Sequence, residues 1–176
     1  MPPEPLPEAK ADAWANAIRS LHHAENRGAL ADLRRMEPDK SLPSAFWIIA
    51  AKSEPAANEN RLRRMARVLQ MLAFPFRPDG LDSGRRKLGA ALEAAGVSEA
   101  RVQKLMTARG PALDDQVIRI ARRLANSGAL PYRELAELLL AENHDSPAVE
   151  TIRLEIARGY WATRNKAPAD IPSSED

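Results

Sequence analysis

The stretch "QVIRIARRLANSG", residues 116–128, decides how the chain reads. Val117, Ile120, Ala121 and Leu124 recur at i, i+3, i+4 and i+7, the spacing of one face of an α-helix. Gly128 closes that helix. Arg119, Arg122 and Arg123 recur at i, i+3 and i+4 on another side. Asp115 precedes Arg119 by four residues and is spaced to pair with it, but Arg122 and Arg123 have no acid within a turn on either side. The helix is amphipathic, and its polar side carries cations that nothing local in sequence neutralises.

The same period runs through most of the chain. Residues 8–25 place Trp14, Ala17, Ile18 and Leu21 on one face behind Pro7, and "RGALADLRRM" aligns Leu30, Leu33 and Met36 before Pro38. "LPSAFWIIAAK" opens on Pro43 and holds Phe46, Trp47, Ile48 and Ile49, a run that predicts burial on most sides. "SEPAANEN" reads as a loop, and residues 60–73 carry the stripe Leu62, Met65, Ala66, Leu69 and Leu72. Residues 86–95 turn Leu88, Ala91, Leu92 and Ala95 inward, with Gly96 as the left-handed cap. Ser98 is the N-cap of the next helix, which carries Val102, Leu105 and Met106 and stops at Gly110-Pro111. The helix of the opening stretch spans 113–127. Another begins at Pro131 with Leu135, Leu138 and Leu139, and Ser146-Pro147 starts a last one that reaches Asn165. No segment alternates with period two.

The expected fold is therefore all-α, a bundle of eight or nine helices over residues 8–165. It forms either a single domain or two small lobes, 8–78 and 85–165, divided at "FPFRPDGLDSG". Residues 166–176 read as a disordered acidic tail.

Composition excludes several functions. No run approaches the ~18 apolar residues of a membrane span, so no membrane partner is expected. "MPPEPLPEAK" has no apolar core behind a basic start, which argues against a secretory signal and makes the cytoplasm the default location. The absence of cysteine rules out disulfides and thiolate ligands. His22 and His23 are adjacent and diverge by about 100° on a helix, and His144 stands alone, so neither a metal nor another cofactor is expected. Asp114-Asp115 reads as a pair of helix-start carboxylates favoured by the dipole. With no phosphate-cradling glycine loop and no serine elbow, the chain is expected not to be an enzyme.

What remains is charge. The net charge of +2 conceals 14 Lys/Arg against 6 Asp/Glu in residues 61–123, and 12 against 18 elsewhere. Arginine supplies 20 of the 26 cations, and its planar fork suits phosphate. Four basic groups stand out: Arg34 with Arg35; Arg61, Arg63, Arg64 and Arg67; Arg101, Lys104 and Arg109; and Arg119, Arg122 and Arg123. Like charges at i, i+4 repel by roughly 0.2–0.5 kcal/mol per pair, so such faces need a reason to exist. A basic stripe is the footprint of nucleic-acid binding. The faces offer arginine and alanine rather than base-reading amides, which fits phosphate contact without sequence readout. Stacking on bases would require exposed aromatics, whereas the three tryptophans sit in apolar patterns and are assigned to the core.

Three segments in order, "LRRMEPDKSLPSAFW", "KLGAALEAAGVSEARVQKLM" and "VIRIARRLANSGALPYRELAELLL", resemble the CasB family, the small subunit of type I-E CRISPR Cascade surveillance complexes. The resemblance extends from Trp14 to Trp161. Lys87 replaces a small polar residue common in the family, and the last helix follows the family pattern only loosely. The resemblance implies an all-α, non-enzymatic subunit. Its partners would be the other Cascade subunits, a second copy of itself, guide RNA and target DNA, including the displaced strand. The family's basic residues map onto Arg34, Arg35, Arg101, Arg122 and Arg123. The charge pattern adds Arg27, Arg63, Arg64 and Arg119 as candidate nucleic-acid contacts. The alternative is a DNA-binding regulator with a helix-turn-helix over residues 98–123, and a third reading is an adaptor for an acidic protein.

Overall fold

A computed structural model describes residues 7–82, 84–141 and 144–166. Apart from Lys166, the expected tail lies outside the described residues. Nine α-helices are present among them. They are α1 (Pro7–His23), α2 (Arg27–Arg35), α3 (Ser44–Ser53), α4 (Glu59–Leu72), α5 (Leu88–Ala94), α6 (Glu99–Thr107), α7 (Gly110–Asn126), α8 (Tyr132–Leu140) and α9 (Pro147–Arg164). The fold is all-α, as the apolar period predicts, with two short strands added.

Those strands lie where the sequence suggested a seam. A 3-10 turn at Pro78–Gly80 leads into β1 (Leu81–Asp82), which pairs in parallel with β2 (Leu130–Pro131), Leu81 opposite Leu130. Arg19 of α1 donates from Nη2 to the Leu81 carbonyl at 3.1 Å. The segment is thus tied to both halves. Helix α8 is the central element: α1 and α4 pack against it, α4 also meets α7, and the buried apolar residues of all of them belong to one core.

The caps follow local chemistry. Asn26, Asn58 and Ser146 each accept a backbone N–H of the first turn of α2, α4 and α9. Gly96 adopts positive φ after α5, as expected, and Gly128 does so after α7. Ser98 occupies the N-cap position of α6, but its side chain makes no capping bond; its carbonyl takes the first helical N–H groups instead. Helix α7 starts at Gly110 rather than at residue 113, because Gly110 (φ +53°) turns the chain sharply and Pro111 fits the first turn. Asp114 consequently lies beyond the first turn. Burial pushes its carboxyl above the ordinary value, opposed by nearby Arg67 and by His144.

The run in α3 is only half inside. Phe46 and Ile49 are buried, whereas Trp47 and Ile48 are 49% and 60% exposed, because α1, α2 and α4 all cover the same side of this short helix. Trp161 is also exposed at 36%, leaving Trp14 as the one tryptophan in the core.

The α1–α8 contact is clamped by Asp12, which accepts from Tyr132 Oη (2.8 Å), Arg133 Nε (3.0 Å) and Arg133 Nη2 (2.7 Å). The Arg133 hydrogen bonds hold the Asp12 carboxyl below its ordinary value, against a burial effect that raises it. The folded chain therefore binds this proton less readily than the unfolded chain. The stability it contributes is full above the unfolded pKa and is lost as pH falls through the folded one. Thermal melts from about pH 7 to about pH 3 should show the wild type losing more melting temperature than Asp12→Asn. Parallel losses in the two proteins would contradict the clamp.

Candidate nucleic-acid interface

Helices α6 and α7 enclose a groove of about 460 Å³ lined by Val97, Arg101, Lys104, Gln116, Arg119, Ile120 and Arg123. The spacing explains the assembly. Arg101 and Lys104 share a face of α6 at i, i+3, while Gln116, Arg119, Ile120 and Arg123 follow at i, i+3, i+4 and i+7 on α7. Val102 and Leu105 on α6, and Val117, Ile120 and Leu124 on α7, hold the two helices in the core. Four cations and no acid line the groove. Arg101, Lys104 and Arg119 are exposed, and among the described residues none has a carboxylate within 4 Å. Asp115, spaced to pair with Arg119, does not do so. Cations gathered in a concave surface reinforce one another's potential and attract anions.

Arg123 is held in place. Its Nε donates to the Ala95 carbonyl and its Nη2 to the Gly96 carbonyl, both at 3.0 Å, satisfying the C-terminal end of α5. Its charge nevertheless faces the groove.

Arg122 turns to the other side of α7. There a second groove, about 450 Å³, is lined by Arg34, Arg35, Glu37, Asp39, Lys40, Arg67, Gln70 and Arg122, with Met36 and Pro38. Arg122 lies over the Phe74 ring, its Cζ 5.0 Å from the centroid. Arg34 donates from Nε to the Ala73 carbonyl (2.5 Å) and from Nη2 to that of Pro75 (3.2 Å), capping α4 and the loop after it. Both acids here are engaged: Glu37 with Lys40 at 2.8 Å, and Asp39 with Arg67 at 3.7 Å and Arg63 at 3.9 Å. Arg35 is exposed, with no carboxylate within 4 Å among the described residues.

Of the nine candidate arginines, Arg101, Arg119 and Arg123 meet in the first groove, and Arg34, Arg35 and Arg122 in the second. Arg63 lines neither and pairs with Glu59 at 2.7 Å; Arg64 is half-buried near Asp114; Arg27 stands exposed at the start of α2. Lys104 belongs to the first groove and was legible from its i, i+3 spacing to Arg101. Arg109, grouped with the cations by sequence, is neutralised by Asp145 (2.6 Å) and Glu150 (3.0 Å).

The chain superposes on one in a crystal structure of E. coli Cascade bound to a PAM-containing dsDNA target, with a TM-score of 0.62 and 22% identity. The match covers 87% of this chain and 97% of the other. The two chains share a fold. Comparison with protein-family models and with curated proteins gives no match. Among the described residues no three His, Asp or Glu side chains are placed to hold a metal ion, and no helix is long and apolar enough to cross a membrane.

Proposed function

We propose that this protein is the non-enzymatic small subunit of a type I-E CRISPR surveillance complex, acting in the cytoplasm. In this reading it joins the other Cascade subunits and a second copy of itself, and steadies guide RNA, target DNA and the displaced strand through their phosphates. The acid-free groove of Arg101, Lys104, Arg119 and Arg123 is the observation that carries it. The fold shared with a chain of DNA-bound E. coli Cascade supports it. Arginine forks and the lysine ammonium take phosphate oxygens without regard to base, while guide pairing reads the sequence.

A helix-turn-helix regulator fits less well. A recognition helix reads bases with its N-terminal residues, and the exposed residues at the start of α7 are Pro111, Ala112 and Asp115. These are apolar or acidic.

The test is binding to labelled single-stranded and duplex DNA across a salt series. The wild type should bind both without sequence preference. Arg101→Ala, Lys104→Ala and Arg119→Ala together remove three exposed cations that, among the described residues, have no carboxylate within 4 Å. On single strands the log–log salt slope should flatten by about 0.7 for each cation lost, about 2 in all. An unchanged slope in a helical variant overturns the groove as the site.

A further inference from the structure

We propose that the second groove, together with Phe76, is a stacking site for an unpaired base of a single strand; this rests on the nucleic-acid reading above and names the form of nucleic acid that this face selects. Phe76 is 76% exposed, although Phe74, two residues earlier, is buried. The loop that presents it is fixed: Arg34 bonds the Ala73 and Pro75 carbonyls, and Pro75 and Pro78 restrict φ on either side. The ring is therefore held out in solvent before any ligand arrives, which lowers the entropic cost of binding. Arg34, which lines the groove, places its Cζ 5.1 Å from the Phe76 centroid.

The surroundings supply the other contacts that a nucleotide needs. Arg77, next in the chain, and Arg35 are exposed and, among the described residues, have no carboxylate within 4 Å, so both are available to phosphate. Gln70 lines the groove and is 93% buried. Its amide nitrogen donates to the carbonyls of Met36 (2.8 Å) and Arg34 (3.3 Å), which fixes the chain after α2 against α4 and gives the groove a rigid floor. Cations for the backbone and an aromatic face for a base together describe a nucleotide. A duplex keeps its base faces stacked on one another, so the occupant is a single strand.

The experiment uses a short single-stranded oligonucleotide carrying 2-aminopurine, and its duplex, with the full chain. The wild type should quench the 2-aminopurine fluorescence of the single strand. Phe76→Ala should abolish that quench and weaken single-strand binding about fivefold or more, with duplex affinity unchanged. Phe76→Trp should restore both. If Phe76→Ala leaves affinity and quench intact, stacking is overturned while the phosphate groove between α6 and α7 stands. Equal losses on single strand and duplex also overturn it, since stacking cannot act on paired bases. If the wild type binds neither DNA, this inference and the proposed function fail together.

Discussion

Replacing Gly89 with alanine should lower the free energy of unfolding by about 3 kcal/mol, the upper range of overpacking costs. Gly89 lies where α5 crosses α9. A Cβ there would sit 2.6 Å from Tyr160 N and 2.9 Å from the carbonyl carbon of Gly159, and would also meet the Ile156 oxygen. All three are backbone atoms, so no side chain can rotate out of the way, and the two helices must separate. Separation would strain the buried bond from Tyr160 Oη to the Val97 carbonyl, 2.8 Å long. Gly28 in α2 is the control. Its nearest neighbour to an added Cβ is Asn26 Oδ1 at 4.0 Å, so Gly28→Ala should be neutral or stabilise by up to about 1 kcal/mol. Urea midpoints of the two variants separate a steric cost from helix propensity. Equal midpoints would contradict the close crossing.

Arg153→Ala should cost about 1–3 kcal/mol, for a different reason. Arg153 is 3% exposed on α9, with Nη1 donating to Glu150 Oε1 (2.5 Å) and the His144 carbonyl (2.9 Å), and Nη2 to the Ala108 carbonyl (3.1 Å). His144 also accepts the Gly110 N–H at Nδ1, 3.1 Å away. The network joins the α6–α7 link to the start of α9. Deleting the guanidinium strands the His144 carbonyl and leaves Glu150 and the Ala108 carbonyl to Arg109 alone. Arg153→Met should recover part of the loss, because its side chain refills the buried volume that alanine leaves empty. Thermal unfolding checks both, and an Arg153→Ala melt like that of wild type would contradict the network.

The helices were legible because apolar spacing is a local signal. All nine lie where the period places them, and Gly96 and Gly128 close α5 and α7 as read. The start of α7 was missed, since Gly110-Pro111 serves equally as a stop for one helix and a start for the next. Trp47 and Ile48 were misplaced because an apolar run does not say how many sides of a helix will be covered. The pairing of Leu81 with Leu130 joins residues far apart in sequence, and so does the Gly89–Gly159 crossing. The arginines show the same limit. The partners of Arg34, Arg122 and Arg123 are helix-end carbonyls and aromatic rings in other elements, which a search for acids within one turn does not reach. Arg101 and Lys104 were legible as a basic pair at i, i+3 and Arg119 as part of the basic face of α7 despite Asp115 four residues earlier, and the fold brings the three to one groove. Phe76 was hidden in a segment that reads as linker.

The decisive measurement is target-strand opening by a type I-E guide RNA complex assembled with the wild-type chain, with the Arg101→Ala, Lys104→Ala, Arg119→Ala variant, or without either. The wild type should co-purify with the complex and raise the fraction of opened target DNA, and the variant should co-purify but leave that fraction near the level seen without the subunit. A wild-type chain that does not join the complex, or a variant that opens DNA as well as the wild type, would contradict the role assigned to the groove.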